Sequence, residues 1–236
     1  EAFEQYYIYG GLPVVAGLEK AEDRQTYLRE IYDTVYLKDV IDRNNLKNEE
    51  GLREIIRVLA SGIGSSTNVS RMSNTFKSIE GKDIAGTTIS RYIECLQDAF
   101  FINEALRYDV KGRRYIGTET KYYFEDMGIR NVIVGFRQNE PTHAMENVIY
   151  NELRRRGFTV DVGVVEVFRT DEKGKRQRHK LEIDFVVNKH DERLYIQSAY
   201  AMPDKAKMDQ EQDSLLHIPD GFRKIIIAAD RYSSGY

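Results

Sequence analysis

The sequence has a single cysteine, Cys95, and this scarcity excludes an intrachain disulfide. One thiol also cannot build a zinc site, and the four histidines, at positions 143, 179, 190 and 217, lack the spacing of metal ligands. Proteins without disulfides are typical of reducing compartments. We therefore expect a cytoplasmic protein without a zinc centre.

Long apolar runs are also missing. No stretch approaches the roughly 20 apolar residues that a membrane span needs, and no secretory signal is visible, so we expect no membrane partner. Charged residues make up 31% and apolar residues 41% of the 236 positions, which is typical of a globular protein. The net charge is only −3, so nucleic acid must be bound, if at all, by a local basic patch.

A phosphate-binding loop is the third absence. The stretch EGKDIAG, residues 80–86, contains a Gly-Lys pair, but Asp83 stands where the magnesium-binding hydroxyl belongs. No serine lies in a G-x-S-x-G elbow. We therefore predict no cofactor in these residues, and in particular no ATP.

The spacing of apolar residues predicts helices in the N-terminal part. Residues 1–48 form a predicted helical segment, whose long helix over 21–43 has Val35 on its apolar face. Residues 49–140 follow the order of a winged helix-turn-helix. Its helices span 50–63, 71–79 and 87–102, the last capped by Thr87 or Thr88, and its wing hairpin turns at Lys111–Gly112.

The pattern changes after residue 140. A helix over 144–156 precedes alternating, β-branched stretches, then a helix over 203–218 with Pro203 at its start. Residues 141–236 are therefore predicted to form an α/β unit, and the fold class of the chain is α+β or α/β. The predicted strands lie near 158–169, 180–187, 194–200 and 224–230.

An acidic constellation in this unit is typical of magnesium-dependent nucleases. Glu182 and Asp184 lie on one predicted strand, Gln197 on its partner strand, and Glu146 on the preceding helix. Magnesium-dependent hydrolysis of a phosphodiester needs hard oxygen ligands that converge on one ion. We expect Glu146, Asp184 and Gln197 to converge, with Asp184 on the opposite strand face from Ile183.

The constellation is degenerate, however. Nucleases of this kind have a carboxylate where this chain has Gln197 and a lysine where it has Ala199, and that lysine stabilises charge at the phosphate. We therefore expect no catalytic residue here and no bound metal. Two alternatives stay open. One is a magnesium-dependent DNA nuclease with metal ligands Glu146 and Asp184 and a displaced lysine, Lys205 or Lys207. The other is a polar strand face with no chemistry at all.

Six stretches in this order carry a family resemblance: FEQYYIYGGLPVV, YLREIYDTVYLKDVIDR, SRYIECLQDAFFI, KYYFEDMGIRN, ENVIYNELRRRG and EIDFVV. Through them the sequence resembles the C-terminal region of prokaryotic AAA-type ATPases, a domain of unknown function that follows the ATPase module. The resemblance implies a winged helix, a restriction-endonuclease-like domain, and an ATPase module with its ATP and magnesium before Glu1. The chain starts at Glu1, inside a helical pattern, so we expect it to be part of a longer protein.

Two stretches are locally basic. Residues 107–121 have five basic and two acidic residues, a net charge of +3, and residues 169–180 have six and two, a net charge of +4. Basic hairpins grip phosphates, and a helix N-terminus can enter a groove. The candidate nucleic-acid-binding residues are Thr87, Thr88, Arg91, Lys111, Arg113, Arg114, Lys175, Arg176 and Arg178.

These observations predict a non-catalytic module that binds DNA or docks partners of the ATPase module. One continuous basic face that joins the two stretches favours nucleic acid, whereas basic patches on opposite faces favour docking. The oligomeric state stays open.

Overall fold

The computed structural model describes residues 2–79, 84–137, 140–170, 174–202 and 205–229. The chain divides into two compact units, which we call the first and the second unit. The first comprises Glu1–Glu104 and Thr120–Val148, and the second Ala105–Glu119 and Ile149–Tyr236. Both helices and strands are present, so the predicted mixed α and β class is confirmed.

The elements up to residue 133 are mainly helical. Strand β1 pairs antiparallel with β3, with Ser66 opposite Lys121. The elements are α1 (Ala2–Tyr9), α2 (Pro13–Gly17), α3 (Ala21–Ile31), a π-helical segment (Tyr32–Leu37), α4 (Lys38–Asn44), α5 (Glu49–Ser61), β1 (Ser66–Thr67), α6 (Val69–Ile79), α7 (Gly86–Asp98), β2 (Ile102–Asp109), β3 (Arg114–Phe124) and α8 (Met127–Ile133).

The helix predicted over 21–43 forms, but the π-helical segment interrupts it. A π turn holds more residues than an α turn, so it rotates the residues that follow relative to the regular spacing. Val35, predicted on the apolar face, is 52% exposed, and Tyr32 and Leu37 are buried instead.

Helix α7 also differs from its prediction. Its N-cap is Ala85, which makes no side-chain hydrogen bond, and Thr87 and Thr88 lie inside the first turn, so the prediction that one of them caps the helix is wrong. The helix ends at Asp98, short of the predicted residue 102, because Phe100 adopts a left-handed backbone conformation with φ 52°.

Two segments that carry the family resemblance meet in the first unit. Asp126, the N-cap of α8, accepts a hydrogen bond from the Gly11 amide at 2.7 Å. A Cβ atom on Gly10 would lie 2.1 Å from Asp126 Oδ1, and one on Gly128 would lie 2.1 Å from the Tyr9 carbonyl oxygen. Close packing of α1 on α8 therefore explains these glycines.

The strands after residue 158 pair with one another and with β2 in a mixed sheet. Strands β4, β5 and β6 pair antiparallel, while β2 joins β4 and β7 joins β6 in parallel. Helix α10 contacts β5, β6 and β7. The elements are α9 (Pro141–Arg155), β4 (Thr159–Thr170), β5 (Arg176–Lys189), β6 (Glu192–Ala199), α10 (Lys205–Leu216) and β7 (Arg223–Ala228).

These bounds confirm the predicted element types, and they differ from the predictions only at the ends. Helix α9 starts at Pro141 rather than at residue 144. The predicted helix start at Pro203 lies outside the described residues. In the part of the chain that the structure describes, no helix is long and apolar enough to cross a membrane.

Strand β5 carries a bulge at the acidic motif. Between the pairs Asp161–Val186 and Gly163–Ile183, β5 has one residue more than β4, and the extra residue falls at Asp184–Phe185. Because a bulge re-aims the neighbouring side chains, the strict alternation of faces predicted here is interrupted. Residues 183–187 are all buried.

Candidate functional site

Asp184 and Gln197 are in contact where the β5–β6 ladder ends. The backbone pairing extends to Phe185 and Ile196. Beyond it, Asp184 Oδ2 accepts a hydrogen bond from the Ser198 amide at 2.7 Å, and the Asp184 amide donates to Gln197 Oε1 at 3.4 Å. Two side chains thus extend the strand pairing in place of backbone groups.

Helix α10 supplies further polar partners. Ser214 Oγ donates to Gln197 Oε1 at 3.4 Å, and Gln197 Nε2 donates to Glu211 Oε2 at 3.3 Å. Lys207 Nζ lies 2.5 Å from Glu211 Oε1. Lys207, one of the two lysines considered as a displaced catalytic lysine, therefore neutralises a carboxylate of its own helix.

This arrangement does not fit magnesium. The ion prefers near-octahedral oxygen ligands and surrenders its water reluctantly, whereas Asp184 Oδ2 and both polar atoms of the Gln197 amide take part in hydrogen bonds within the protein. Within the described ranges, no group of three or more His, Cys, Asp or Glu residues is arranged to hold a metal. Ala199 is buried and brings no cation.

Glu182, the other member of the acidic pair, interacts with strand β2. Its Oε2 lies 3.9 Å from Arg107 Nη2, and Arg107 also forms an ion pair with Glu119. Glu182 therefore helps to neutralise a largely buried arginine.

Glu146, on α9, belongs to the first unit. Its Oε1 accepts hydrogen bonds from Lys121 Nζ at 2.9 Å and from the Tyr123 hydroxyl at 2.5 Å, and all three residues are buried. His143 Nδ1 lies 3.9 Å from the other carboxylate oxygen. These contacts were not anticipated from the sequence. Convergence of Glu146 with Asp184 stays a prediction.

The two basic stretches contribute to one cleft in the second unit. Strand β2 runs parallel to β4, and the Val110 amide donates to the Val164 carbonyl at 3.0 Å, which brings the turn after β2 beside β4. The cleft has a volume of about 560 Å³. Its lining residues are Asp109, Lys111, Gly112, Glu166, Val167, Phe168, Arg176 and His217.

Glu166 anchors two of the predicted basic residues at this cleft. Lys111 Nζ donates to the Glu166 carbonyl oxygen at 2.8 Å, and Arg178 Nη2 lies 2.9 Å from its carboxylate. The backbone carbonyl of Glu166 thus holds the cation from the β2–β3 turn, and its carboxylate holds the cation from the β4–β5 hairpin.

The other basic candidates lie at the hairpin turns. Arg113 has a left-handed backbone, φ 52°, and the side chain of Arg114 is 75% exposed, with Nε 3.9 Å from Asp109. Lys175 is exposed. Residues 171–173, part of the second basic stretch, lie outside the described residues.

The outer half of the β4–β5 hairpin is exposed, and we call residues 168–170 and 176–180 the exposed ribbon. Arg176, Arg178 and Lys180 occupy alternate positions and therefore share one ribbon face. Phe168 pairs with Arg178 on that face and is 56% exposed. The Arg176 guanidinium lies over the Phe168 ring, 4.3 Å from its centroid. Phe168 was not among the candidates from the sequence. An aromatic residue directly before a basic turn could have indicated it.

Thr87, Thr88 and Arg91 line a separate cleft of about 430 Å³ in the first unit. Arg91 Nη2 donates to the Asn44 carbonyl oxygen at 3.3 Å, so this arginine links α7 to the end of α4. The cleft is completed by Asn45, Leu46, Lys47, Asn48 and Tyr92.

A buried acid on β4 also escaped sequence reasoning. Burial raises the pKa of Asp161 above its usual range, although the hydrogen bond from the Tyr115 hydroxyl, at 3.1 Å, and the charge of Arg193 oppose this. The Arg193 guanidinium lies 5.5 Å from the Tyr108 ring centroid and 5.6 Å from that of Phe222. The sequence could have indicated this acid, because Asp161 is the one charged residue in the apolar run VDVGVV, residues 160–165.

Comparison with known proteins assigns a family. An uncharacterized protein of Haemophilus influenzae is 35% identical over 230 residues, which are 98% of this chain and 53% of that protein. An uncharacterized protein of Methanocaldococcus jannaschii is 24% identical over 205 residues, 86% of this chain and 43% of that protein. The chain thus spans about half the length of these relatives. No solved structure matches it. Residues 1–140, more than half of the chain, match the model of the Domain of unknown function (DUF8612), and the chain therefore belongs to that family.

Proposed function

We propose that this chain is a non-catalytic nucleic-acid-binding module, the C-terminal part of a longer AAA-type ATPase. The observation that carries the binding proposal is the cleft of the second unit. Lys111 from the β2–β3 turn and Arg176 from the β4–β5 hairpin both line it, so two basic stretches that are distant in sequence act on one surface. Basic side chains grouped in this way bind neighbouring phosphates of a nucleic acid.

The ATPase part of the proposal rests on the resemblance and on length. The chain covers 53% and 43% of its two relatives, which leaves space in them for a module of similar size. ATP and magnesium would then be cofactors of that module.

The order of helices and strands supports a winged helix in the N-terminal part of the chain and a nuclease-like frame in the C-terminal part. The order α5, β1, α6, α7, β2 and β3, with β1 beside β3, supports a winged helix. The order α9, three antiparallel strands, α10 and β7 supports a nuclease-like frame whose acids have structural roles.

Salt-dependent binding tests the proposal. We expect the chain to bind nucleic acid at low salt and to release it as salt rises, because bound phosphates release counterions. Arg113→Glu with Arg114→Glu should weaken binding about tenfold or more and reduce the slope of log K against log salt by roughly 1 per lost phosphate contact.

A matched control is available on α9. Arg154→Glu with Arg155→Glu makes the same change of net charge at an exposed adjacent pair outside both basic stretches, and it should alter affinity less than threefold. Equal losses in both double variants, or no binding at low salt, would contradict the proposal.

Docking of a partner protein is the second candidate, and one observation in the first unit favours it. Phe100 is 74% exposed and adopts the left-handed conformation that usually selects glycine or asparagine. A strained backbone costs free energy and tends to occur at functional sites, and an exposed aromatic side chain offers apolar area to a partner. Phe100→Gly should weaken association with the preceding ATPase module, measured by calorimetry, without lowering the melting temperature.

A nuclease is the remaining alternative, and the hydrogen bonds of Asp184 and Gln197 favour a structural role over it. We expect no plasmid cleavage in magnesium or manganese. Cleavage that disappears in Asp184→Ala would overturn the non-catalytic proposal. Activity gained only in Gln197→Glu with Ala199→Lys would identify a disarmed nuclease.

A further inference from the structure

The cleft of the second unit is concave and contains an exposed aromatic ring. A volume of about 560 Å³ lies within the roughly 300–1,000 Å³ of clefts that enclose small organic molecules. A protein element that reads duplex DNA enters a groove and is therefore convex. A concave site instead receives a group that projects from its ligand.

Phe168 indicates which chemical group of the ligand enters the cleft. Phe168 lines the cleft and is 56% exposed, and the Arg176 guanidinium lies over one face of its ring. A planar base stacks on such a surface, and stacking contributes about 1–3 kcal/mol per base with little dependence on sequence. In a duplex the faces of the bases are covered by their neighbours, so an unpaired base is required.

The charges beside the ring suit the sugar-phosphate chain that would follow the base. Arg178 and Lys180 continue from Arg176 along one face of the ribbon, and Lys111 also lines the cleft. Glu166 contacts both Arg178 and Lys111 and holds them beside the ring. Aromatic rings among cations that track a backbone are the combination by which proteins bind single strands.

We infer that this cleft binds single-stranded nucleic acid, DNA or RNA, with an unpaired base stacked on Phe168. The inference rests on the proposed nucleic-acid-binding function and adds the class of ligand.

The first test uses fluorescence. The chain has no tryptophan, so Phe168→Trp introduces a single tryptophan at the cleft, whose emission is recorded separately from that of the 16 tyrosines. We expect a 12-nucleotide oligothymidine or oligouridine to quench it by a third or more, whereas a 12-base-pair duplex at equal occupancy leaves it nearly unchanged. The DNA and RNA arms show which sugar is preferred.

The second test compares affinities by fluorescence anisotropy at low salt. We expect the single strand to bind at least tenfold more tightly than the duplex, and Phe168→Ala to weaken single-strand binding about tenfold. Phe222→Ala is the matched control, because Phe222 is also an exposed aromatic near an arginine, 45% exposed, and does not line this cleft. It should change affinity less than twofold.

The outcomes separate the two proposals. If the duplex binds as tightly as the single strand, or if Phe168→Ala and Phe222→Ala act alike, the single-strand inference is wrong while nucleic-acid binding stands. If neither nucleic acid binds at low salt, both proposals fail.

Discussion

The two ends of the β4–β5 hairpin differ in how their polar groups are used. At the buried end, Asp184 binds the Ser198 amide and Gln197 joins α10, so polar atoms hold strands and helix together. At the exposed end, Arg176 and Phe168 line an open cleft. The end whose acids resemble those of a nuclease therefore serves the fold, and the end with the charged turn is the one for which we propose binding.

The largest expected effect is a difference in unfolding free energy between substitutions at the two ends of the hairpin. Phe185 is fully buried and Phe168 is 56% exposed on the same hairpin. Phe185→Ala should lower the free energy of unfolding by about 3–5 kcal/mol because it removes packing and leaves a cavity, and Phe168→Ala by less than about 1 kcal/mol. Urea denaturation measures both. Similar losses would show that the exposed ribbon is part of the core.

The second effect tests whether Asp184 is structural. Asp184→Ala leaves the buried Ser198 amide without its acceptor, which should cost about 1–3 kcal/mol of unfolding free energy. Affinity for nucleic acid should stay within twofold, since the cleft is untouched. Asp184→Asn, which keeps an acceptor oxygen, is the control and should lose less. A loss of binding without a loss of stability would reverse the roles of the two ends.

The third effect concerns pH. Burial raises the pKa of Asp161 in the folded chain, so the folded state binds this proton more tightly than the unfolded state does. Its contribution to stability is present below the ordinary aspartate pKa and is lost as the pH rises through the raised value. Asp161→Asn should therefore gain stability relative to the parent as the pH rises above the ordinary aspartate pKa. A pH-independent difference would contradict the assignment.

The smallest effect comes from an exposed ion cluster on α9. Hydrogen bonds from Arg155 and Arg156 lower the pKa of Glu152 to about 2. Stability from this group is present above the ordinary glutamate pKa and is lost as the pH falls through about 2. Solvent screens the cluster, so Glu152→Gln should leave the melting temperature at pH 7 nearly unchanged. A clear drop would contradict the screening of this cluster by solvent.

Local patterns predicted the element types well. Alternating β-branched residues predicted β4 to β6, and three- and four-residue spacing predicted α5 and α9, because burial of one face imposes those periods. The same patterns missed the π-helical segment at Tyr32–Leu37 and the bulge at Asp184, since an inserted residue leaves the local composition unchanged.

The sequence by itself determined that this chain has one thiol, mixed helices and strands, two basic stretches and the acidic pair Glu182 and Asp184. Only the tertiary structure decided which of these residues come together. Pairing of β2 with β4 brings Lys111 to the same cleft as Arg176, and packing of α10 against β6 turns Gln197 into a structural link. Both depend on contacts between residues far apart in the chain, which the spacing of neighbouring residues does not encode.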